Sequence, residues 1–348
     1  MTAGESSHPT SNIPATNSEF VVGGHETGLP PAERYSQLRW YFAQHYPLPA
    51  PLEERLTAAH PTTAALDATL LQETNQWLRL LPDRLTHTAM VMLGAAVDHT
   101  MPGVAYLRGA NVTVEQQDEI TMLTPESAAA DTLIVNVYAF DGRCGNGQAG
   151  EDRHLPEMAA LAVLSGCRVA VVDCSSSAVQ ALKVQQTQLV QIVKNLRETY
   201  QPTRLALIGS DAGALLAACV APAADVVIFD QPYQGALADS TVEAALAAAS
   251  TCEQKTTVVV THPTAISAAD QDIVSGLLAA AQPVGGAAVH TFPGDPLIIE
   301  PGIARQRLLC WAQHITGKTI TDPRQAVEEQ VAAARAAEEA EATGNAKQ

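Results

Sequence analysis

Short apolar runs alternate with amphipathic segments over the last two thirds of the chain. The apolar runs lack a polar residue at every second position, which is typical of strands that are buried on both faces of a sheet. Segments of helical period between such strands predict right-handed crossovers and a mainly parallel sheet wrapped by helices. The predicted strands are 132–140, 168–173, 204–208, 226–229, 256–261 and 287–292, and the predicted helices are 179–200, 212–220, 241–249, 268–281 and 304–316.

The first third of the chain has a different pattern. Residues 31–102 carry apolar residues at helical spacing between prolines, which predicts three or four short helices. Residues 1–30 are rich in Ser, Thr, Asn, Gly and Pro and are predicted to be disordered. An α/β domain is predicted over 103–320, and an Ala/Glu-rich tail follows over 321–348. Further short strands are predicted at 104–107, 111–115 and 120–123.

Composition excludes several classes of partner. The formal net charge is −17 and no basic run interrupts it, so a nucleic-acid partner is not expected. No apolar stretch approaches the roughly 18 residues of a membrane-spanning helix. The six cysteines do not have a zinc-binding spacing, and with no signal-peptide pattern a reducing cytoplasm is predicted. Neither a metal nor another cofactor is predicted from these patterns.

The segment with the most chemical content is Leu-Ala-Leu-Ile-Gly-Ser-Asp-Ala-Gly-Ala over 205–214. A predicted strand ends there and a helix of small residues begins. The spacing Gly209-x-Asp211-x-Gly213 is that of a nucleophile elbow, whose middle residue projects from a sharp strand-to-helix turn. The helix N-terminus and its first amides, including that of Ala212, favour negative charge at this point.

From 133 to 218 the chain resembles the hormone-sensitive-lipase branch of the α/β-hydrolases, a group of carboxylesterases. A strand runs into a Gly-rich loop, Asp-Gly-Arg-Cys-Gly-Asn-Gly over 141–147, and the elbow reads Gly-Ser-Asp-Ala-Gly where the family has Gly-Asp-Ser-Ala-Gly. The resemblance implies the α/β-hydrolase fold with an N-terminal helical cap over 31–102. A pocket or oxyanion hole is expected near Gly142, Arg143, Ala212 and Asp295.

The catalytic triad of that family is not preserved in register. Asp211 stands at the position of the nucleophilic serine, and Ser210 lies one place early. The acidic member is expected near Ala265, which has no carboxylate, and the histidine near Asp295 in a loop that contains no histidine. Because a serine esterase needs a base beside its hydroxyl and a group that orients the base, its ordinary mechanism is not expected here.

Three hypotheses of function follow. In the first, the chain keeps the fold and a pocket for a small acyl or apolar ligand but has weak or lost hydrolase activity. In the second, Asp211 is the nucleophile of an active hydrolase, with His262 or His290 as its base. In the third, the chain is a non-catalytic interaction or regulatory scaffold. His154 is predicted to lie on the solvated surface, and the side chains predicted to belong to the core of the N-terminal helices are Trp40, Trp77, Leu80 and Leu81.

Overall fold

The computed structural model describes residues 29–50, 68–94, 111–128, 131–139, 148–174, 182–233, 239–251, 256–280 and 287–325, together with 329–330, 332–334 and 336. The predictions made for residues 1–28, for the strand 104–107, for the Gly-rich loop 141–147 and for most of the C-terminal tail lie outside this range. Within it, no helix has the length and apolar character needed to cross a membrane.

Three helices precede the sheet in the described part of the chain: α1 (Pro31–His45), α2 (Ala68–Arg79) and α3 (Leu81–Leu93). A proline in the first turn favours the start of α1 and of α3, and Gly94 in a left-handed conformation ends α3. The apolar faces of these helices pack together and against Leu297 and Ile298 from late in the chain. Helices are thus found where the spacing of apolar residues predicts them.

One sheet of eight strands organises the rest of the described chain. Its spatial order is β1-β2-β4-β3-β5-β6-β7-β8. β2 pairs antiparallel with both β1 and β4, and the remaining pairs are parallel, so the prediction of a mainly parallel sheet is confirmed. The strands are β1 (Val112–Gln117), β2 (Ile120–Pro125), β3 (Thr132–Tyr138), β4 (Arg168–Asp173), β5 (Arg204–Ser210), β6 (Val226–Asp230), β7 (Thr257–Pro263) and β8 (Ala288–Phe292).

Helices cover both faces of the sheet. Two of them, α4 (Gln148–Ser165) and α9 (Pro301–Thr316), pack on one face. Strand residues such as Ile134 point to that face, and their neighbours such as Val135 point to the other. Burial on both sides explains why the strands are continuous apolar runs. The second face carries α5 (Leu182–Tyr200), α6 (Gly213–Ala218), α7 (Asp239–Ala249) and α8 (Ala268–Ala280).

Burial departs from the predictions at three positions. The prediction that His154 lies on the surface is wrong, since this residue sits inside α4 and is 4% exposed. α4 packs against the sheet, α2 and α9, so several of its sides are interior. Trp77 and Leu81 belong to the core as predicted, whereas Trp40 and Leu80 are 58% and 40% exposed.

Candidate active site at the elbow

Asp211 lies at a sharp turn between β5 and α6. Its φ of +53° is in the left-handed region, which costs a residue with a Cβ about 1–2 kcal/mol and recurs at functional sites. Close packing requires the two flanking glycines. A Cβ on Gly209 would lie 2.5 Å from the Cα of Ala214, and a Cβ on Gly213 would lie 2.8 Å from the Cα of Tyr138. The local sequence therefore builds the elbow that its spacing predicts.

The carboxylate of Asp211 is buried beside a guanidinium group. The residue is 2% exposed, and its Oδ2 lies 3.9 Å from Nη2 of Arg153 in α4. The same Nη2 donates to the carbonyl oxygen of Pro296 at 3.2 Å, in the loop that follows β8. Arg153 therefore links the elbow to this loop and offsets part of the negative charge of Asp211.

A second carboxylate, Asp230, ends β6 beside the elbow, and its carbonyl oxygen accepts the backbone N–H of Asp211 at 2.9 Å. The hydroxyl of Thr261 donates to its Oδ1 at 2.7 Å, and Nη1 of Arg307 donates to its Oδ2 at 3.3 Å. Burial raises the pKa of Asp230 to about 6, although Arg307 and the hydroxyl of Thr261 both act to lower it. This carboxyl group therefore titrates close to physiological pH.

Arg307 is the cation that holds this group together. Its Nη2 donates to Oε1 of Glu157 at 2.8 Å, while its Nη1 contacts Asp230. Burial acts to lower the pKa of Arg307, but the surrounding carboxylates outweigh burial and raise it. Two guanidinium groups and three carboxyl groups thus form one largely buried network, in which the charge of Asp211 also acts on Arg307; its members are Arg153, Glu157, Asp211, Asp230 and Arg307.

His154 is the histidine whose pKa responds to the charge of Asp211. Its ring stacks on Tyr138 with 4.9 Å between centroids, and its Nε2 has no hydrogen-bond partner among the described residues. Burial, together with the charges of Arg153 and Arg307, lowers the pKa of His154 to about 3, although Asp211 acts to raise it. The imidazole is consequently neutral at physiological pH.

The structure does not bring His290 to the elbow. Paired residues form one row across the sheet, from Ser210 through Asp230 and Thr261 to His290. Ser210 and His290 are three strand spacings apart, a separation of roughly 14 Å across the sheet. Nε2 of His290 lies instead 2.9 Å from Nε2 of His314.

His262 points away from the elbow, and the hydroxyl of Ser210 is hydrogen-bonded to a residue of β3. Thr261 faces α9, where its hydroxyl accepts the indole N–H of Trp311 at 3.3 Å, so the next residue, His262, points to the opposite face. Nδ1 of His262 is 2.9 Å from the carbonyl oxygen of Pro263. The hydroxyl of Ser210 is buried in the sheet, where Nδ2 of Asn136 donates to it at 3.4 Å.

A cleft of about 600 Å³, including its open mouth, lies over the buried charges. Its walls are mainly apolar and come from α3, α9 and the loop after β8, with charged groups where the cleft meets α4. A mainly apolar cleft with a few polar groups is the usual form of a small-molecule site. Its lining includes Leu81, Leu85, Arg153, Glu157, Leu297, Ile299, Ala304 and Arg307.

Comparison with solved structures identifies the architecture. A hormone-sensitive lipase from a metagenome library superposes with a TM-score of 0.52 at 11% identity, over 84% of this chain and 99% of that chain. The chain has the α/β-hydrolase fold. The predicted resemblance is thereby confirmed at the level of fold, and at this identity the likeness extends no further.

Two other esterases give weaker superpositions. Esterase E25 matches with a TM-score of 0.46 at 12% identity, over 84% of this chain and 98% of that chain. Esterase LipW from Mycobacterium marinum matches with a TM-score of 0.42 at 16% identity, over 77% and 97%. No family model matches the sequence, and no curated protein resembles it significantly.

Within this α/β-hydrolase fold, the loop after β8 contacts the elbow through Arg153, but the carboxylate of Asp295 in that loop is hydrogen-bonded elsewhere. Oδ1 of Asp295 accepts the backbone N–H groups of Leu297 and Ile298, and Oδ2 accepts the hydroxyl of Tyr35 at 2.9 Å. The side chain of Asp295 therefore anchors α1. Ala212 is fully buried at the start of α6, while Gly142 and Arg143 lie outside the described residues.

Sequence reasoning missed three members of the charged network: Arg153, Glu157 and Arg307. Arg153 and Glu157 are four residues apart on α4, so they share one side of the helix. Arg307 interrupts the apolar side of α9 and is 5% exposed. A charged residue within an apolar helix face was the available signal, because such residues are rarely buried unless they are paired.

Proposed function

We propose that this chain is an α/β-hydrolase-fold protein that binds a small neutral acyl or apolar ligand and has weak or no ester hydrolase activity. The observation that carries the proposal is the state of the elbow residue. Asp211 is 2% exposed, and its carboxylate lies against Arg153, which also donates to Pro296. A nucleophile needs access to its substrate and a base that activates it or the water that follows.

The histidines in the described residues support this proposal. Neither His262 nor His290 is directed towards Asp211. His154 is within its electrostatic influence, but a base whose pKa is about 3 binds a proton poorly at neutral pH. Protonation of His154 at pH 7 costs about 5 kcal/mol, whereas an effective general base has a pKa near the working pH.

The charges under the cleft favour a neutral ligand. Three carboxyl groups and two guanidinium groups give a net charge between −1 and 0, depending on the protonation of Asp230. Among the described residues, this group therefore supplies no excess positive charge to hold a free carboxylate. The apolar walls contributed by Leu81, Leu85 and Leu297 suit an acyl chain that ends in an ester or alcohol group.

The first experiment measures hydrolysis of short- and medium-chain p-nitrophenyl esters by the wild type and by Asp211→Ala and Asp211→Ser. The matched control is Asp272→Ala, which removes an exposed carboxylate from α8. We expect no turnover above background from any of the four proteins. Turnover by the wild type that is lost in Asp211→Ala and kept in Asp272→Ala would show that the elbow is catalytic and refute the proposal.

A binding experiment tests the ligand class. Thermal unfolding of the wild type is measured with a medium-chain alcohol, its acetate ester and the corresponding fatty carboxylate. We expect the two neutral compounds to raise Tm more than the carboxylate does, and the cleft-filling variant Ala304→Trp to abolish this rise. A larger effect of the carboxylate, or an unchanged effect in Ala304→Trp, would contradict the assignment of the cleft.

A second candidate is an active hydrolase in which Asp211 is the nucleophile. The observation in its favour is His154, whose Nε2 lacks a hydrogen-bond partner among the described residues and whose ring lies near enough to Asp211 for that charge to oppose the lowering of its pKa by burial. This pair takes the place of the predicted pairs with His262 and His290. The test is to incubate His154→Gln with haloalkane and epoxide substrates and to examine the elbow peptide by mass spectrometry. If His154 activates the water that cleaves the intermediate, this variant should accumulate an alkyl ester on Asp211.

A third candidate is an interaction scaffold. Trp40 of α1 and Met90 and Val91 of α3 are 58%, 47% and 55% exposed, which is unusual for large apolar side chains. The triple substitution of these residues by serine is compared with the wild type by light scattering over a range of concentrations. A lower average mass for the variant would support self-association through these helices.

We also place the protein in the cytoplasm. The four cysteines in the described residues, Cys167, Cys174, Cys219 and Cys310, are free thiols. Burial raises the pKa of Cys174 to about 12 and that of Cys219 to about 11, so both stay protonated and inert in a reducing compartment.

A further inference from the structure

Three metal-binding side chains converge at the outer edge of the sheet, away from the elbow. His290 projects from the edge strand β8, and Cys310 and His314 lie one turn apart on α9. Nε2 of His290 is 2.9 Å from Nε2 of His314. One ligand atom from each of the three residues lies within 4.8 Å of the others, a grouping not repeated elsewhere in the described residues.

The spacing on α9 explains how two of the ligands come together. Residues four apart on a helix lie on one side of it, and Cys310-x-x-x-His314 therefore presents a thiol and an imidazole to the same neighbour. Thr261, the residue of β7 that pairs with His290, faces α9, so His290 does so too. The parallel register of β8 thus supplies the third ligand.

The distances are close to those of a tetrahedral zinc centre. With Zn–N bonds of about 2.0–2.1 Å and a Zn–S bond of about 2.3 Å, two nitrogens lie roughly 3.3 Å apart and nitrogen and sulfur roughly 3.6 Å apart. The imidazoles must separate by roughly 0.4 Å from their present contact, and the thiol must approach them by no more than about 1.2 Å. Small side-chain rotations achieve both changes.

The chemistry of the ligands selects the ion. Two imidazoles and a thiolate suit Zn²⁺ and similar transition-metal ions, whereas Mg²⁺ and Ca²⁺ require oxygen ligands. A hydrogen bond between the two imidazoles needs at least one neutral ring, and metal binding needs both to be neutral. All three side chains are partly exposed, so an ion can reach them from solvent.

We propose that His290, Cys310 and His314 form a binding site for one zinc-type divalent cation, which ties the edge strand β8 to α9. Three protein ligands leave the fourth position to water. His290 is three strands from the elbow, so the role is structural or regulatory and independent of the function proposed for Asp211. The sequence pattern that signals the site is a Cys and a His at helical spacing, with a His in the preceding strand.

Co²⁺ is the first probe, since bound thiolate gives a near-ultraviolet charge-transfer absorption. The full-length protein is freed of metal with a chelator and titrated with CoCl₂, and ZnCl₂ is then added. We expect the absorption to appear at one equivalent and to be removed by Zn²⁺. Cys310→Ser should lack it, whereas Cys167→Ser, which removes a buried thiol elsewhere, should keep it.

Zinc affinity measured by calorimetry tests the two histidines. We expect His290→Ala and His314→Ala each to weaken Zn²⁺ binding at least about tenfold, as is typical when a metal site is disturbed. His45→Ala, which removes an exposed histidine of α1, should bind like the wild type. A cobalt absorption that is absent in the wild type or persists in Cys310→Ser overturns the proposal, as does equal affinity of His290→Ala and His45→Ala.

Thermal unfolding provides a readout that does not depend on how well each variant binds the probe. Zn²⁺ at about a hundredfold excess over Kd should raise the Tm of the wild type by roughly 5 °C. The rise should be absent in Cys310→Ser, whose circular dichroism is recorded to establish that it is folded. A rise of equal size in folded Cys310→Ser would contradict a site built on this thiol.

Discussion

Arg307→Met offers a quantitative test of the charged network under the cleft. Methionine has a similar length and packs in an apolar environment, so the change removes the cation with little loss of volume. Arg307 is 5% exposed and Asp230 is 4% exposed. With Nη1 and Oδ2 3.3 Å apart, the charge centres are about 4 Å apart, which corresponds to about 4 kcal/mol at an effective dielectric constant of 20.

The variant leaves Asp230 buried without its cation, so we expect a loss of about 3–5 kcal/mol of unfolding free energy at pH 7.5. The loss should be smaller at pH 5. The pKa of folded Asp230 is already raised to about 6 and rises further without Arg307, whereas the unfolded value is 3.8. A raised carboxyl pKa contributes stability at low pH that is lost as pH increases through the folded pKa.

Urea denaturation at pH 5.0, 6.0 and 7.5 measures both effects, with Cm and the m value fitted separately. The double variant Arg307→Met with Asp230→Asn should recover most of the loss, because the uncompensated charge is gone. Arg305→Met is the matched control. Its partner Asp322 is 27% exposed, so a smaller loss with little dependence on pH is expected. A loss below about 1 kcal/mol in Arg307→Met, or one equal at all three pH values, would refute the reasoning.

Three further predictions concern packing, titration and the attachment of α1. Gly213→Ala should lower the unfolding free energy by about 3 kcal/mol or prevent folding, because the added Cβ would overlap backbone atoms of β3. Its control, Gly276→Ala, should change the unfolding free energy by no more than about 1 kcal/mol, because the added Cβ meets a side chain at 3.3 Å, and urea denaturation compares the two variants. Because folding lowers the pKa of His154 to about 3, the wild type should lose about 1.4 kcal/mol of unfolding free energy per pH unit as pH falls from 6.5 towards 3, and His154→Phe should not show this loss. Acid titrations followed by circular dichroism measure the two slopes, and equal slopes would contradict the prediction. Tyr35→Phe should lower the unfolding free energy by about 1 kcal/mol and increase hydrogen exchange in α1, because the hydrogen bond from the hydroxyl to Asp295 is lost. Unchanged hydrogen exchange would show that this hydrogen bond does not hold the helix.

Most of the strand-and-helix pattern followed from local sequence. The predicted strand 168–173 coincides with β4, and the predicted helix 268–281 coincides with α8 as far as residue 280, the last described residue of this segment. Such segments are predictable because a strand buried on both faces has a strong local signature. The elbow was found because its glycine spacing is itself a local motif. Gly209 is required by contacts with Ala214 and Ala217 a few residues on, although Gly213 is required by the close approach of Val137 and Tyr138 in β3.

The environment of the site could not be obtained in the same way. Arg307 meets Glu157 across 150 residues and Asp230 across 77 residues, and no local period encodes such pairings. The burial of His154 was mispredicted for a similar reason. α4 is covered on several sides by separate parts of the chain, so its sequence does not divide into one apolar and one polar face.

The attachment of α1 has a consequence for the order of folding. Two of its polar anchors, Arg34 to Glu300 and Tyr35 to Asp295, span 266 and 260 residues. On a ribosome that adds about 5–20 residues per second, these partners emerge roughly 15–50 s after the helix does. Through that interval, the apolar side of α1 with Leu38 and Phe42 lacks its late-synthesised partners, Leu297 and Ile298. The polar attachment of α1 to the end of the chain is therefore expected to be among the last contacts to form.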